Sequence, residues 1–326
     1  MSSELHQVDA NSSEGLQLSE EVTPNSFGHT IATLAVITIP FFGVIVAMVL
    51  LWQEWFFATD LVLGFVLYVF TGLGVTVGYH RLLTHRSFET GPRTRRFWTI
   101  AGSCAIEGTP TSWVADHRRH HRHADNLGDP HSPHVGYEGG GFMNALRGAW
   151  HAHIGWLVTE GSAKNEMFVP DLLKDDVVMG VDKNFFRLYL PLSFVVFPAF
   201  AGFLLSGLHW QGAVTGFVWA GLVRIFITHH VTWSVNSICH MFGRRPFETE
   251  DRSTNNWLFA LPTFGEAWHH NHHAFPTSAF HGLTKAQKML DPSGWVVWWM
   301  EKFGLAKNVK RVSQEKQAAK LRITDY

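Results

Sequence analysis

Hydrophobic positions along this chain gather into four long blocks, and polar positions fill the stretches between them. Ile31 to Trp52 is 22 residues with no charged side chain, which at 1.5 Å per residue crosses a bilayer core of roughly 30 Å. Gln53 to Asp60 reads as a short turn, and Leu61 to Tyr79 is a second uncharged run rich in Gly, Val and Leu. Leu188 to Leu208, the charge-free turn His209 to Gly212, and Ala213 to Val235 repeat the arrangement, with Arg224 the one charge inside it. Phe97 to Ala105 is apolar but too short to span. The pattern predicts an all-α integral membrane protein whose four transmembrane helices form two hairpins, 29–79 and 188–235. Residues 80–187 and 236–305 are expected to build a helical cap outside the lipid. The first 28 residues, with Glu4, Asp9, Glu14, Glu20 and Glu21 and no Lys or Arg, read as a mobile acidic tail and lack the basic start of a signal peptide. Residues 306–326 read as a basic tail that reaches solvent or anionic lipid.

Charge placement adds an orientation. Of 26 Lys and Arg, 13 lie between His80 and Arg187 and 12 between His240 and Tyr326, leaving only Arg224 within a span. Basic residues mark the cytosolic side, so the cap and both termini are expected there. Arg224 should face the bundle, because a guanidinium against lipid is costly. Gly72, Gly74 and Gly78 suit close helix packing. A net charge of -1 with 14% aromatic residues excludes a disordered chain and a nucleic-acid binder. Two cysteines, Cys104 and Cys239, cannot make a thiolate zinc site or a four-thiolate iron–sulfur cluster.

The 21 histidines carry the chemistry. His80 and His85 sit in HRLLTH at the end of the second span. His117, His120 and His121 share the i, i+3, i+4 face of a helix, and His269, His272 and His273 repeat that spacing. His240 lies four residues after Asn236 at the matching end of the fourth span. Nine imidazoles in one place need partners for every ring nitrogen and would repel if protonated, which makes a metal centre the economical reading. One zinc is satisfied by about four ligands, whereas two six-coordinate irons offer about twelve positions. The count favours two irons with open coordination.

In these segments the chain resembles the membrane-bound fatty acid desaturases of the Δ9 acyl-CoA or acyl-lipid type. The family's HxxxxH, HxxHH and HxxHH boxes stand here as His80 to His85, His117 to His121 and His269 to His273. The segments GYHRLLTHRSF (Gly78 to Phe88), DHRRHH (Asp116 to His121), TWSVNSICH (Thr232 to His240) and GEAWHHNHHAFP (Gly265 to Pro276) are similar as well, and the likeness runs roughly from Leu61 to Pro276. The resemblance implies that the nine histidines bind two irons and that Asn236 acts through a water. It also implies that a bent apolar tunnel entered from the cytosolic side holds an acyl chain, that O2 is the oxidant, and that the product is a cis double bond. No haem, flavin or iron–sulfur segment is present, so the likeness implies an external donor: a ferredoxin, a cytochrome b5 or a flavin and iron–sulfur reductase.

Several residues stay open between two roles. Asp116, Asp125 and Glu266 either orient a ligating imidazole from behind or serve as caps and surface carboxylates. Trp233 matches a family tryptophan near the substrate entrance, and Arg224 matches an Arg that is structural or faces substrate. His123, His131, His134, His151, His153, His229, His230 and His281 read as hydrogen-bonded polar residues. Animal acyl-CoA desaturases carry Arg before the Asp-His of the second box, where this chain has Ala115, leaving the acyl carrier open; Arg118, Arg119, Arg122 and the cluster Arg93, Arg95, Arg96 remain as phosphate candidates. A related His-box hydroxylase is the alternative enzyme. A membrane metal transporter is the non-enzyme alternative, and its ligands should lie at mid-membrane in inverted repeats.

Overall fold

A computed structural model describes residues 18–322. Four helices are long and apolar enough to cross a membrane: span 1, Phe27–Trp52; span 2, Ala58–Thr84; span 3, Phe185–Leu205; and span 4, Trp210–His240. Spans 2 and 4 outrun the uncharged blocks, as the histidines at their ends require.

Span 4 is the common neighbour of the other three. It meets span 3 where Gly202 lies over Gly212 and Gly216, so closely that a Cβ on Gly202 would stand 2.2 Å from the Gly212 carbonyl oxygen. Small residues of this kind let backbones approach where no water drives association. Span 1 does not pair chiefly with span 2, as a tight first hairpin would. Its Gly43 sits on Leu222 of span 4, where a Cβ would come within 2.4 Å of the leucine Cβ.

Arg224 is 2% exposed in this bundle. Its guanidinium donates to the carbonyls of Ala220 at 2.9 Å, Cys104 at 3.1 Å and Ser193 at 2.7 Å, so its role is to tie spans 3 and 4 to the cap. Arg224→Met should lower the unfolding temperature in detergent, at roughly 1–3 kcal/mol per orphaned acceptor. A thermal melt followed by size-exclusion chromatography measures it, and an unchanged melting point would contradict the assignment.

The cap rests on helices α1 (Pro92–Ser103), α2 (Pro110–His123), α3 (His269–Ala274) and α4 (Pro292–Lys302). Helix α1 contains most of the apolar piece too short to span, and it lies against span 2 because Gly74 and Gly78 leave room for the backbones of Ala101 and Trp98. Helix α2 starts on a Thr109 side-chain cap with Pro110 in its first turn, and α4 starts on Asp291 with Pro292; both are strong helix-start signals.

Both expected tails are shorter than the charge pattern implied. Residues 1–17 lie outside the described residues, but the segment 18–25 meets the cap through Leu18, Glu21, Val22–Thr23 and Asn25. Strand β1 (Val22–Thr23) pairs antiparallel with β3 (Ser162–Ala163), and Glu21, 2% exposed, binds Arg122 at 3.0 Å and His123 at 2.7 Å. The carboxylate that suggested solvation instead neutralises Arg122 and bonds the His123 ring. At the other end β4 (Ala306–Lys307) pairs with β2 (Glu89–Thr90), and Lys320 Nζ donates to the Ala274 carbonyl at 3.0 Å.

Candidate metal centre

Helix α2 and helix α3 each turn three imidazoles inward at the expected i, i+3, i+4 spacing. His80 and His85 need a different device. Five residues along an α-helix turn a side chain about 140° past its starting face, which would separate the pair. Gly74–Thr84 is instead a π-helix, in which the His85 N–H bonds the His80 carbonyl at 3.1 Å. The i→i+5 ladder brings the two rings together edge to face, and their Nε2 atoms stand 3.2 Å apart. His240 arrives from a closing 3₁₀ turn, Ile238–His240, at the end of span 4.

All nine histidines converge, in two groups. His80, His85, His117, His121 and His272 form one, and His120, His240, His269 and His273 the other; within each group the candidate ligand atoms lie within 4.8 Å of one another. Nε2 faces Nε2 throughout. In the first group His272 is 3.2 Å from His80 and 2.8 Å from His121, and His121 is 3.1 Å from His117. In the second, His269 is 2.9 Å from His240 and 3.1 Å from His273. Adjacent nitrogens on one metal at about 2.0–2.1 Å fall about 2.9–3.4 Å apart, and these separations match.

The outer nitrogens explain why the inner ones are lone pairs. His80 Nδ1 meets Glu266 at 2.6 Å, His120 Nδ1 meets Asp129 at 2.9 Å, His240 Nδ1 meets Asp125 at 2.8 Å, and His273 Nδ1 meets Asp251 at 3.3 Å. A carboxylate behind Nδ1 holds the proton there and points the Nε2 lone pair inward. Burial first, and neighbouring imidazoles second, push His117, His121, His269, His272 and His273 well below the usual imidazole value. Neutral rings with converging lone pairs repel one another unless a cation lies between them, so the donor set fits two metal ions.

The carboxylates sort differently from the sequence reading. Asp125 and Glu266 do orient imidazoles. Burial alone would raise the Asp125 carboxyl, but His240, the Arg252 N–H and the Ser132 hydroxyl hold it well below the carboxylate range. Glu266 is held low against burial by Arg81 and His80, and Arg81 is itself anchored on Asp291 at 3.1 Å. Asp116 orients no ring: its Oδ1 accepts the Ala163 N–H of β3 at 2.9 Å. Asp129 and Asp251 were missed. Asp129 had a signal, since it follows Asp125 by four residues just past the second box, but Asp251 had none. His281, read as an ordinary polar residue, is buried with Nδ1 at 3.2 Å from Glu266. His153 pairs with His230 at 2.9 Å and His229 with the Ala105 carbonyl at 3.0 Å, both away from the two groups.

Three adjoining cavities lead to the centre. A mouth of about 310 Å³ holds Glu107, Asp116 and Trp233 in its wall. A second cavity shares these three and adds Trp113, His117, Thr232 and Asn236. The third shares those four, borders His80 and His269, and ends at Tyr68, Gly72 and Phe264. At that end the Phe264 ring occupies the space that a Cβ on Gly72 would need, 2.2 Å away, and Tyr68 OH donates to the Pro262 carbonyl at 2.5 Å. Trp233 thus stands in the mouth wall, and Asn236 lines both inner cavities together with His117.

Glu107 lines both the mouth and the second cavity. Its carboxylate accepts from Trp113 Nε1 at 3.1 Å and Thr232 Oγ1 at 2.7 Å, and Trp113 stacks on His117 with ring centres 5.1 Å apart. Burial pushes its pKa up to about 7 despite those two donors. A carboxyl raised in the folded state contributes fully below its unfolded value and loses that contribution as pH rises through the folded one. The Glu107 contribution to stability should therefore fall by roughly 3 kcal/mol between about pH 4.5 and 7. Glu107→Gln should remove that contribution, so the change in melting temperature between pH 5 and pH 8 should differ between the variant and the unaltered chain; an equal change in both would refute it.

Residues 50–300 match the family described as fatty acid desaturase. The chain is 38% identical, over 83% of its length and 83% of the relative, to hex-5-enoyl-[acyl-carrier protein] acetylenase of Moorena producens. It is 37% identical to sn-1 stearoyl-lipid 9-desaturase of Anabaena variabilis, covering 73% of this chain and 79% of that one. It is 35% identical to acyl-CoA C20 Delta5-desaturase of Anemone leveillei, covering 77% and 73%.

Proposed function

This chain belongs to the fatty acid desaturase family of membrane oxidoreductases, and on that premise we propose that it places a cis double bond at Δ9 of a saturated acyl chain. The reaction takes O2, two electrons and two protons, removes two hydrogens from adjacent methylenes, and releases two waters. The observation that carries this reading is the convergence of nine Nε2 atoms beside a largely apolar cavity. A mid-chain methylene has no acidic proton for a carboxylate or imidazole to take. Two irons held by the two histidine groups supply the oxidising power when bound.

The chain's own residues do the rest. Trp113, held by Glu107 and stacked on His117, bends the path so that one pair of methylenes passes the imidazoles. Tyr68 and Phe264 stop the methyl end. Asn236 orients a water beside the four-imidazole group, and Glu266, Asp125, Asp129 and Asp251 hold the ring protons on Nδ1 and aim the ligand nitrogens inward. Electrons enter from an external ferredoxin, cytochrome b5 or flavin and iron–sulfur reductase at the cap, which faces the cytosol with both termini according to the one-sided Lys and Arg distribution.

Gas chromatography–mass spectrometry of fatty acids from membranes expressing this chain, with double-bond location, tests the proposal. A new cis-Δ9 acid is expected. A bond at another carbon would overturn the regiochemistry, a hydroxy acid would move the chain to the hydroxylases, and an alkyne would place it with the acetylenase relative.

A further inference from the structure

We infer that His281 is a positioning residue for the five-imidazole group: its Nε2 accepts a hydrogen bond from the His272 Nδ1–H, and its own Nδ1–H passes the contact on to the Glu266 carboxylate. This deepens the metal-binding reading above and rests on it. The larger group is short of outer partners, since Glu266 is the one carboxylate behind its five rings among the described residues and meets only His80 directly. His272 shows the deficit. Its Nε2 faces His80 at 3.2 Å and His121 at 2.8 Å, so the neutral ring carries its proton on Nδ1, which is buried and has no acceptor among the described residues. Such a donor has given up water without a replacement, a condition in which few buried polar groups of native proteins remain.

His281 offers the complement. It is 1% exposed, and its ring centre lies 4.6 Å from that of His272. Its Nδ1 stands 3.2 Å from Glu266 Oε2, the oxygen that also meets His80 Nδ1. Arg81 already supplies Glu266 with a positive charge, so His281 stays a neutral ring with its proton on Nδ1 and its lone pair on Nε2. That Nε2 is buried and unpartnered as well. An orphan donor and an orphan acceptor thus stand on neighbouring rings, and joining them satisfies both.

The backbone of His281 is pinned on both sides to the same network. Its N–H donates to Asp291 Oδ2 at 2.9 Å, and its carbonyl accepts the Asn271 side-chain amide at 2.8 Å. Asp291 also holds Arg81 at 3.1 Å, and Asn271 directly precedes His272 on α3. One carboxylate therefore serves two ligands, His80 directly and His272 through an interposed imidazole. A partner behind the outer nitrogen fixes the tautomer and orientation of a ligating ring and raises its basicity, and the relay extends that effect to a ring that no carboxylate reaches.

The test strips the full chain of metal in detergent, titrates it with isotopically enriched Fe(II) in the absence of oxygen, and follows each group by Mössbauer spectroscopy. His281→Phe fills the space without an acceptor, whereas His281→Gln keeps an acceptor oxygen. The Phe variant should bind iron at the five-imidazole group about 10- to 100-fold more weakly, with the four-imidazole group unchanged, and the Gln variant should recover most of the affinity. A side chain that only filled space would be replaced by Phe with no effect on the iron. If His281→Phe does not accumulate, His281→Leu removes the same acceptor with less bulk. A Phe or Leu variant that loads like the unaltered chain, a loss shared equally by both groups, or a Gln variant as weak as the Phe variant overturns the inference and leaves the desaturase reading standing. An unaltered chain that takes up iron in neither group overturns the metal reading and this inference together.

Discussion

Replacing His120 by alanine abolishes fatty acid desaturation while the protein still reaches the membrane. His120 is 1% exposed and joins His240, His269 and His273 in the smaller group, where its Nε2 stands 3.3 Å from that of His273. Without it three nitrogens remain for one metal, and the Asp129 carboxylate loses the ring it was buried to meet. The loss should exceed the roughly 10- to 100-fold that removing an outer-shell partner costs. His272→Ala breaks the five-imidazole group in the same way. Fatty acid analysis of membranes and iron per purified chain together read the outcome, with iron expected to fall below two per chain. Full activity in both variants would sink the ligand assignment.

Asp125→Asn should weaken metal binding at the four-imidazole group by about 10- to 100-fold with little change at the other. Asp125 Oδ2 accepts both the His240 ring at 2.8 Å and the Arg252 N–H at 2.7 Å, and Oδ1 accepts the Ser132 hydroxyl at 2.7 Å. An amide keeps the shape but replaces one acceptor by a donor, so either His240 or a neighbouring donor is left without a partner inside the protein. Three of the four outer carboxylates, Asp125, Asp129 and Asp251, stand behind the smaller group, and only Glu266 stands behind the larger. Stepwise iron loading followed by Mössbauer spectroscopy distinguishes the two groups, and equal loss from both would contradict the division.

The spans were legible because lipid imposes an unambiguous rule of length and charge, and the ligands were legible because a helix puts i, i+3 and i+4 on one face. What stayed hidden depended on long-range contacts. Asp116 stands next to a ligand in sequence, yet its carboxylate turns to β3, while Asp251, far from any box, lies behind His273. Glu21 belonged to an acidic stretch whose composition looked solvated until Arg122 and His123 were brought to it. The packing of span 1 on span 4 was equally out of reach, since four apolar runs carry no statement of which touches which. His80 and His85 were singled out by their place at the end of the second span, but the backbone that joins them was not foreseen, because a π-helix has no propensity signature of its own.

That π-helix also sets a phase. An i→i+5 ladder is an α-helix that has taken in one additional residue. Deleting Leu83 would leave His80 and His85 as an i, i+4 pair, which an ordinary α-helix also brings together. Everything before the deletion, however, would rotate by about 100° relative to His85. Tyr68 and Gly72, which line the far end of the cavity, would then face another side of the bundle. The additional residue works as a shim between the two ends of one helix, fixing the angle at which that cavity wall is clocked against the imidazoles.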